Sequence, residues 1–125
     1  LQAELRRGRV SKLSELVDPT GGAIRSKVIA RCIDEGDELV IDAISEAADY
    51  LGAGLGSLAS FYNPRRFILG GGLIEATHLL FERASLRARE TTLPAATRSL
   101  DILRAALGDN SGIVGAAWMA SQNKG

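Results

Sequence analysis

The chain is organised around residues 66–73, which read Arg66-Phe67-Ile68-Leu69-Gly70-Gly71-Gly72-Leu73. A short apolar run leads directly into three consecutive glycines. Phe, Ile and Leu favour a buried strand, and the run is too short for a helix. Residues 74–91 follow with helical character, so the predicted order is strand, tight glycine turn, helix. Because glycine takes positive φ at no steric cost, three in a row allow a turn that most residues could not make.

The glycine turn is open to two interpretations. The first amides of the next helix have no partner within the helix and carry a partial positive charge. A turn without side chains also lets a ligand approach the backbone closely, so it could hold a phosphate or the polar edge of a nucleotide. The alternative is a plain strand-to-helix turn in which glycine only satisfies φ. Under the first interpretation Gly70, Gly71 and Gly72 are the nucleotide-binding residues.

Two named glycine motifs do not describe this stretch. The P-loop pattern needs a Lys-Ser/Thr pair after its last glycine, and none follows Gly72. The dinucleotide pattern needs glycines at its first, third and sixth positions, and here the sixth position is Glu75. A second glycine cluster, in residues 52–56, also fails because it lies inside a helical pattern rather than after a strand.

Composition limits the classes of partner. The 125 residues suffice for one domain with a real core, and 15 basic residues balance 15 acidic ones. No bulk charge therefore draws this segment to nucleic acid or to an anionic membrane. The sequence shows no signal peptide and no apolar run long enough to span a membrane, so a cytoplasmic protein is expected.

The only cysteine and the only histidine are predicted to have structural rather than chemical roles. The lone cysteine, Cys32, excludes an internal disulfide and is expected in the core. The lone histidine, His78, is expected to have a surface or packing role. Because the chain begins with Leu1 rather than Met, residues 1–125 are interpreted as a single domain cut from a longer protein.

Several further elements are predicted around the central stretch. Gly36 is expected to end one helix, and Asp37 to be the N-cap of the next. A second strand over residues 99–104, with a helix between the two strands, implies parallel pairing. The predicted helices span residues 1–10, 11–17 (with Ser11 as N-cap), 23–32, 38–61 and 113–120.

The long helix carries three glycines that need an explanation. Gly52, Gly54 and Gly56 each cost roughly 1 kcal/mol relative to alanine inside a helix. That sum is a large share of a marginal stability. Close approach of another element is the favoured reason for their presence, and contact with a ligand is the second.

Taken together, a set of short motifs resembles the carboxy-terminal part of the ROK family (repressors, open reading frames and sugar kinases). The resemblance covers nearly the whole chain. The motifs are Gly36-Asp37, Tyr50-Leu51-Gly52-Ala53-Gly54-Leu55, Asn63-Pro64, Ile68-Leu69-Gly70-Gly71-Gly72, Leu107-Gly108-Asp109 and Gly115-Ala116-Ala117. It implies an α/β fold that is part of the second domain of an actin-like, ribonuclease-H-like ATPase, with parallel strands and packed helices. In such kinases the glycine turn, here Gly70 to Gly72, lines the nucleotide side of a cleft.

The resemblance implies a function but places its chemistry elsewhere. The first expectation is part of an ATP- and Mg²⁺-dependent sugar kinase of glucokinase type. The second is the effector-sensing part of a sugar-responsive repressor, and the third is a structural or dimerisation module. The general base, the sugar-binding residues and the zinc cluster of the family would all lie before Leu1, and Cys32 matches none of the zinc ligands. No catalytic or metal-binding residue is therefore predicted here, and the family implies a homodimer.

Overall fold

The computed structural model describes residues 11–13, 24–97 and 100–122 of the chain. This part is rich in helix and contains a small parallel sheet, which confirms the α/β class. Its elements in order are α1 (Ser26–Asp34), α2 (Glu38–Tyr62), β1 (Arg66–Leu69), α3 (Gly72–Ala76), α4 (His78–Thr91), α5 (Pro94–Thr97), β2 (Asp101–Arg104), a 3-10 turn (Gly108–Asn110) and α6 (Ser111–Gln122).

The two strands pair in parallel, as predicted, with Arg66 opposite Asp101 and Leu69 opposite Arg104. Beyond the last pair the Ala105 N–H donates a hydrogen bond of 2.8 Å to the Leu69 carbonyl. Parallel strands end at the same edge of a sheet. The segments that follow β1 and β2 therefore leave the sheet side by side.

The corner between α1 and α2 is fixed as the sequence predicts. Gly36 has φ of 75°, and the buried Asp37 carboxylate accepts a 3.2 Å hydrogen bond from the Val40 N–H. The same carboxylate accepts hydrogen bonds from the Ser11 hydroxyl at 2.7 Å and from the Lys12 N–H at 2.8 Å. One side chain thus caps α2 and attaches residues 11–13 to the corner.

The core lies around α2 and α4. Cys32 is fully buried, which confirms its predicted position, and burial and then the nearby carboxylates of Asp37 and Glu35 raise the pKa of its thiol. A first buried cluster comprises Leu13, Cys32, Val40, Ile44, Ala48, Ile74, Leu80 and Ala84. A second comprises Leu55, Ala59, Ala88, Leu100 and Ile102, and joins the α2–α4 pair to the sheet.

Two of the three glycines in α2 permit its close packing on α4. A Cβ atom at Gly52 would lie 2.5 Å from the Cβ of Arg87 and 2.6 Å from the Ala84 carbonyl oxygen. A Cβ atom at Gly56 would lie 3.0 Å from the Ala88 carbonyl oxygen. The close-approach prediction is confirmed for these two. For Gly54 it is not confirmed, because no atom of the described residues lies within 4 Å of the corresponding position.

The prediction of one helix over residues 74–91 is wrong. The chain leaves helical geometry at Thr77, with φ of −135° and ψ of 136°, and α4 begins only at His78. The Thr77 hydroxyl accepts a 3.2 Å hydrogen bond from the Leu79 N–H, so Thr77 is the N-cap of α4. A threonine hydroxyl that accepts a hydrogen bond from a nearby amide stabilises the start of a helix. Here that cap starts a new helix at His78, so the continuous helix that the apolar pattern predicts is interrupted at Thr77.

Other boundaries move by a few residues. The helix predicted over 23–32 is Ser26–Asp34, and the strand predicted over 99–104 is Asp101–Arg104. The helix predicted over 113–120 is Ser111–Gln122 and has no buried residue. The helices predicted over 1–10 and 11–17 lie outside the described residues except for 11–13. There the Ser11 hydroxyl accepts a hydrogen bond from the Leu13 N–H at 3.1 Å, as a capping serine does.

Three predicted packing positions are exposed. Helical spacing of the apolar residues predicts that Ala47 and Leu58 lie on the packed stripe of α2, and Leu86 on that of α4. In the structure Leu58 is 47% exposed and Leu86 is 61% exposed, and Ala47 is also exposed. The buried stripe of α2 is therefore narrower than its apolar pattern.

Candidate functional site

The glycine turn lies at the carboxyl end of β1, and all three of its residues are exposed. Gly71 has φ of 122° and ψ of 155°, a region of backbone conformation that is essentially restricted to glycine. No atom of the described residues lies within 4 Å of the position that a Cβ atom of Gly71 would take. Glycine is thus required here by conformation, and the space in front of the turn is open.

The two flanking glycines are close to neighbouring elements. A Cβ atom at Gly70 would lie 3.0 Å from the Cβ of Ala105, and one at Gly72 would lie 3.2 Å from the Ser26 hydroxyl oxygen. The turn therefore sits between the end of β2 and the start of α1. The structure brings the three predicted residues together at the edge of the sheet where both parallel strands end, which is where open α/β sheets bind ligands.

The helix after the turn is shorter than the sequence indicates. Helix α3 has five residues, and the Glu75 N–H donates a 3.1 Å hydrogen bond to the Gly71 carbonyl in its first turn. A helix macrodipole arises from aligned peptide dipoles, and so few of them give a weaker field than an 18-residue helix. The five-residue α3 therefore does not supply the charge expected at the terminus of a long helix, and the turn offers exposed backbone without side chains.

A second glycine approaches the same edge from β2. Gly108 opens the 3-10 turn with φ of 51°, and a Cβ atom there would lie 3.2 Å from a carboxylate oxygen of Glu75. Glu75 is itself exposed. The candidate site thus has exposed backbone at the glycine turn and one carboxylate, that of Glu75, between this turn and the 3-10 turn. A carboxylate can accept hydrogen bonds from the hydroxyl groups of a ligand.

Arg104, the last residue of β2, ties this edge together. Its guanidinium donates a 2.7 Å hydrogen bond to the Ile74 carbonyl, lies 3.3 Å from Nδ1 of His78, and stacks 4.5 Å from the centre of the Phe81 ring. It therefore fixes the junction between α3 and α4 behind the glycine turn. His78 is exposed and contributes to this contact, which confirms its predicted surface role.

Sequence reasoning overlooked Arg104. An arginine that ends an alternating strand looks like an ordinary surface charge. Only the pairing of two strands that are distant in sequence brings it against α3 and α4. A signal was nevertheless available, because parallel pairing places the ends of both strands at one edge.

The described residues contain no group of three or more His, Cys, Asp or Glu side chains that could hold a metal ion. The open backbone at Gly70–72 has the form that a phosphate or nucleotide edge needs, whereas the same residues offer no ligand set for Mg²⁺ or zinc. In the part of the chain that the structure covers, no helix is both long and apolar enough to cross a membrane.

Comparison with known proteins identifies the family. The model of the ROK family matches residues 8–123. This chain belongs to the ROK family. With its structural neighbours, that membership implies the actin-like ATPase fold, of which the parallel strands and packed helices described above are a part.

Relatives of this ROK chain include both enzymes and a regulator. A glucokinase from Streptomyces coelicolor is 33% identical over 115 residues, which cover 91% of this chain and 36% of that protein. A crystal structure of a ROK family glucokinase from Streptomyces griseus, in complex with glucose and AMPPNP, is 34% identical with a TM-score of 0.67, covering 78% of this chain and 31% of that one.

A ROK family transcriptional regulator, a homologue of the E. coli MLC protein, is also similar. It is 26% identical with a TM-score of 0.67, over 82% of this chain and 25% of the regulator. The ROK chain spans about a third of the length of the curated glucokinases it matches, at 36% and 31%. Glucokinases and a transcriptional regulator therefore share this segment of the fold.

Proposed function

We propose that this ROK chain is the carboxy-terminal, nucleotide-side part of a cytoplasmic sugar kinase, within the second domain of the actin-like fold. The full-length protein would transfer the γ-phosphoryl group of ATP to a hydroxyl group of a hexose. The observation that carries this proposal is the exposed glycine turn at the carboxyl edge of parallel strands, in a chain about one-third identical to glucokinases.

In this proposal, residues 70–72 position the nucleotide. Their backbone can approach a phosphate or the polar edge of the nucleoside because no side chain intervenes, and Gly71 holds a conformation that other residues resist. Arg104 keeps α3 and α4 in place behind the turn. Phosphoryl transfer depends mainly on positioning and charge stabilisation, so a rigid nucleotide seat contributes directly to the rate.

Other parts of the reaction are assigned to the rest of the protein. Mg²⁺ would neutralise charge on the ATP phosphates when bound. Its ligands, the general base that accepts the proton of the sugar hydroxyl, and any zinc cluster of the parent are proposed to lie outside the described residues. The parent is also proposed to be a homodimer.

A second function is favoured by a specific observation, the similarity to the ROK family transcriptional regulator. In that case the same fold would bind a sugar and bias a helix-turn-helix located elsewhere in the protein. An Asp-Gly-Gly-type phosphate loop upstream would support the kinase, and a helix-turn-helix pattern upstream would support the repressor.

The two functions are separated by a coupled assay of ADP release. The full-length protein is supplied with ATP, Mg²⁺ and a panel of hexoses and amino sugars. Sugar-dependent ADP release would support the kinase and identify its substrate class. If no sugar is turned over but one of them raises the melting temperature, the repressor is supported instead.

A further inference from the structure

Glu75 is the one charged residue between the glycine turn and the start of α4. It belongs to α3, and its side chain is exposed. Its carboxylate nevertheless lies against another segment of the chain. A Cβ atom at Gly108 would be 3.2 Å from one carboxylate oxygen and 3.4 Å from the other. Because Gly108 has no side chain, the carboxylate can occupy this place between the glycine turn and the 3-10 turn.

The Glu75 carboxylate is not engaged within the part of the chain that the structure describes. No residue there donates a hydrogen bond to it or forms an ion pair with it. Arg104, a cation at the same edge, donates instead to the carbonyl of Ile74, the residue just before Glu75, and stacks on Phe81. The two oxygens of Glu75 therefore keep about four acceptor positions for a ligand.

The chemistry around Glu75 suits one end of a nucleotide better than the other. A carboxylate accepts hydrogen bonds from hydroxyl groups, whereas it repels phosphate groups because they carry charge of the same sign. Leu107, the residue before Gly108, is 50% exposed and adds apolar surface to the 3-10 turn. Acceptor oxygens, an apolar side chain and exposed glycine backbone together fit a ribose with its two hydroxyl groups. They do not fit a phosphate chain.

The start of α1 borders the same turn and has the opposite charge. A Cβ atom at Gly72 would lie 3.2 Å from the Ser26 hydroxyl oxygen. The residues on either side of Ser26 are the exposed cations Arg25 and Lys27. Negative charge at Glu75 and positive charge at the start of α1 match the two parts of a nucleotide, an uncharged nucleoside with hydroxyl groups and a set of anionic phosphates.

We propose that Glu75 selects the phosphate donor by binding its ribose. The carboxylate accepts hydrogen bonds from one or both ribose hydroxyls, so the nucleoside lies at residues 70–72 and Gly108 and the phosphates extend away from Glu75. This inference rests on the proposed nucleotide site and adds the group that the donor must carry. A ribonucleotide is preferred, because a deoxyribonucleotide or inorganic polyphosphate lacks the hydroxyl groups that Glu75 binds.

Nucleotides that differ in one hydroxyl group test the proposal directly. ADP, 2′-deoxy-ADP and 3′-deoxy-ADP are titrated by calorimetry into the full-length protein with Mg²⁺ and without sugar, so no phosphoryl transfer occurs. We expect the removal of at least one of the two hydroxyls to raise the dissociation constant of the wild type at least about tenfold, which corresponds to the loss of one hydrogen bond to a charged group.

Two variants of Glu75 remove the acceptor without disturbing the described fold. Glu75→Gln keeps the size of the side chain, Glu75→Ala removes both oxygens, and no described residue uses the carboxylate as a partner. We expect the preference for ADP over the deoxy analogue to fall to about threefold in Glu75→Gln and to disappear in Glu75→Ala. Circular dichroism checks folding.

The control variant and the control ligand are chosen to match. Glu46→Gln changes an exposed carboxylate on α2 and should keep the wild-type preference. Inorganic tripolyphosphate has charge but no ribose. Its dissociation constant should not rise in Glu75→Gln, because that substitution removes a repulsion and no hydrogen bond.

Gly71→Val, measured beside these variants, separates failure of this inference from failure of the proposed function. Weaker ADP binding in Gly71→Val, together with a preference that Glu75→Ala abolishes, supports the inference. If Gly71→Val weakens ADP binding but the wild type binds both deoxy analogues as tightly as ADP, or Glu75→Ala keeps the preference, the inference is overturned and the nucleotide site stands. Unchanged ADP binding in Gly71→Val, or a protein that binds no nucleotide, overturns both.

Discussion

Glycines serve opposite purposes in two regions of this molecule. Between α2 and α4, Gly52 and Gly56 lie where any side chain would collide with the neighbouring helix. At the end of β1, no described atom lies within 4 Å of a Cβ atom at Gly71, and glycine is required there by its φ of 122°. Between the helices there is no room for a Cβ atom. At the end of β1 there is room, but the backbone has a positive φ that residues with a Cβ atom resist.

This difference separates residues that build the fold from residues that form a site. A glycine with a neighbour against it is explained by packing. A glycine with strained φ and open space at a sheet edge leaves backbone available to a ligand. Gly54 belongs to neither group within the described residues, because its backbone is helical and no described atom lies within 4 Å of a Cβ atom there.

The largest effect is expected where the helices touch. Gly52→Ala places a Cβ atom 2.6 Å from the Ala84 carbonyl, and a backbone oxygen cannot move aside cheaply. We expect it to lower the free energy of unfolding by about 3 kcal/mol, measured by urea denaturation of the full-length protein. A loss below the error of the measurement would show that α2 and α4 are not closely packed.

A smaller loss of stability is expected on changing Asp37, the N-cap of α2, because this residue fixes the start of the helix that packs on α4. Asp37→Ala removes the N-cap and leaves the Ser11 hydroxyl and the Lys12 amide without their carboxylate. We expect a loss of about 2 kcal/mol in the free energy of unfolding. Glu38→Ala, an exposed carboxylate next in sequence, is the control and should cost much less.

The same carboxylate predicts a pH dependence. Burial acts to raise the pKa of Asp37, but hydrogen bonds from Ser11 and from the backbone N–H groups of Val40, Lys12 and Leu13 together lower it below its ordinary value. A lowered pKa in the folded state stabilises the protein above the unfolded pKa, and that stability is lost as pH falls through the folded value. The difference in stability between wild type and Asp37→Ala should therefore shrink below about pH 4.

The smallest effect has the opposite sign. Gly54→Ala adds a Cβ atom where no described atom lies within 4 Å and removes the cost of glycine in a helix. We expect the free energy of unfolding to rise by up to about 1 kcal/mol. Because Gly52→Ala is the same substitution two residues away, a similar loss at both positions would remove the distinction drawn between these glycines.

Local signals were sufficient to predict much of the fold. The apolar run before Gly70 predicted β1, and the spacing to the second strand predicted parallel pairing. The Gly36-Asp37 pair predicted the end of α1 and the start of α2, because the required φ and the capping carboxylate are properties of those residues themselves.

What the sequence could not show depends on distant contacts or on competing local bonds. The apolar pattern runs through residues 74–91 without a gap, so it does not indicate that a cap at Thr77 divides this segment into two helices. Arg104 reaches the edge of the glycine turn only because two strands pair across 35 residues. Leu58 and Leu86 follow the helical period, and the period alone does not say which apolar residues another element will cover.

The most direct test of the account measures binding of a non-hydrolysable ATP analogue to the full-length protein by calorimetry, for wild type, Gly71→Val and Gly36→Val. Both glycines have positive φ and open surroundings, so both variants strain the backbone, but only Gly71 is at the sheet edge. We expect Gly71→Val to weaken the analogue at least about tenfold, a cost of about 1.4 kcal/mol, and to leave sugar affinity nearly unchanged. Gly36→Val should retain nucleotide affinity. Equal affinity for the analogue in wild type and Gly71→Val would contradict the placement of the nucleotide at this turn.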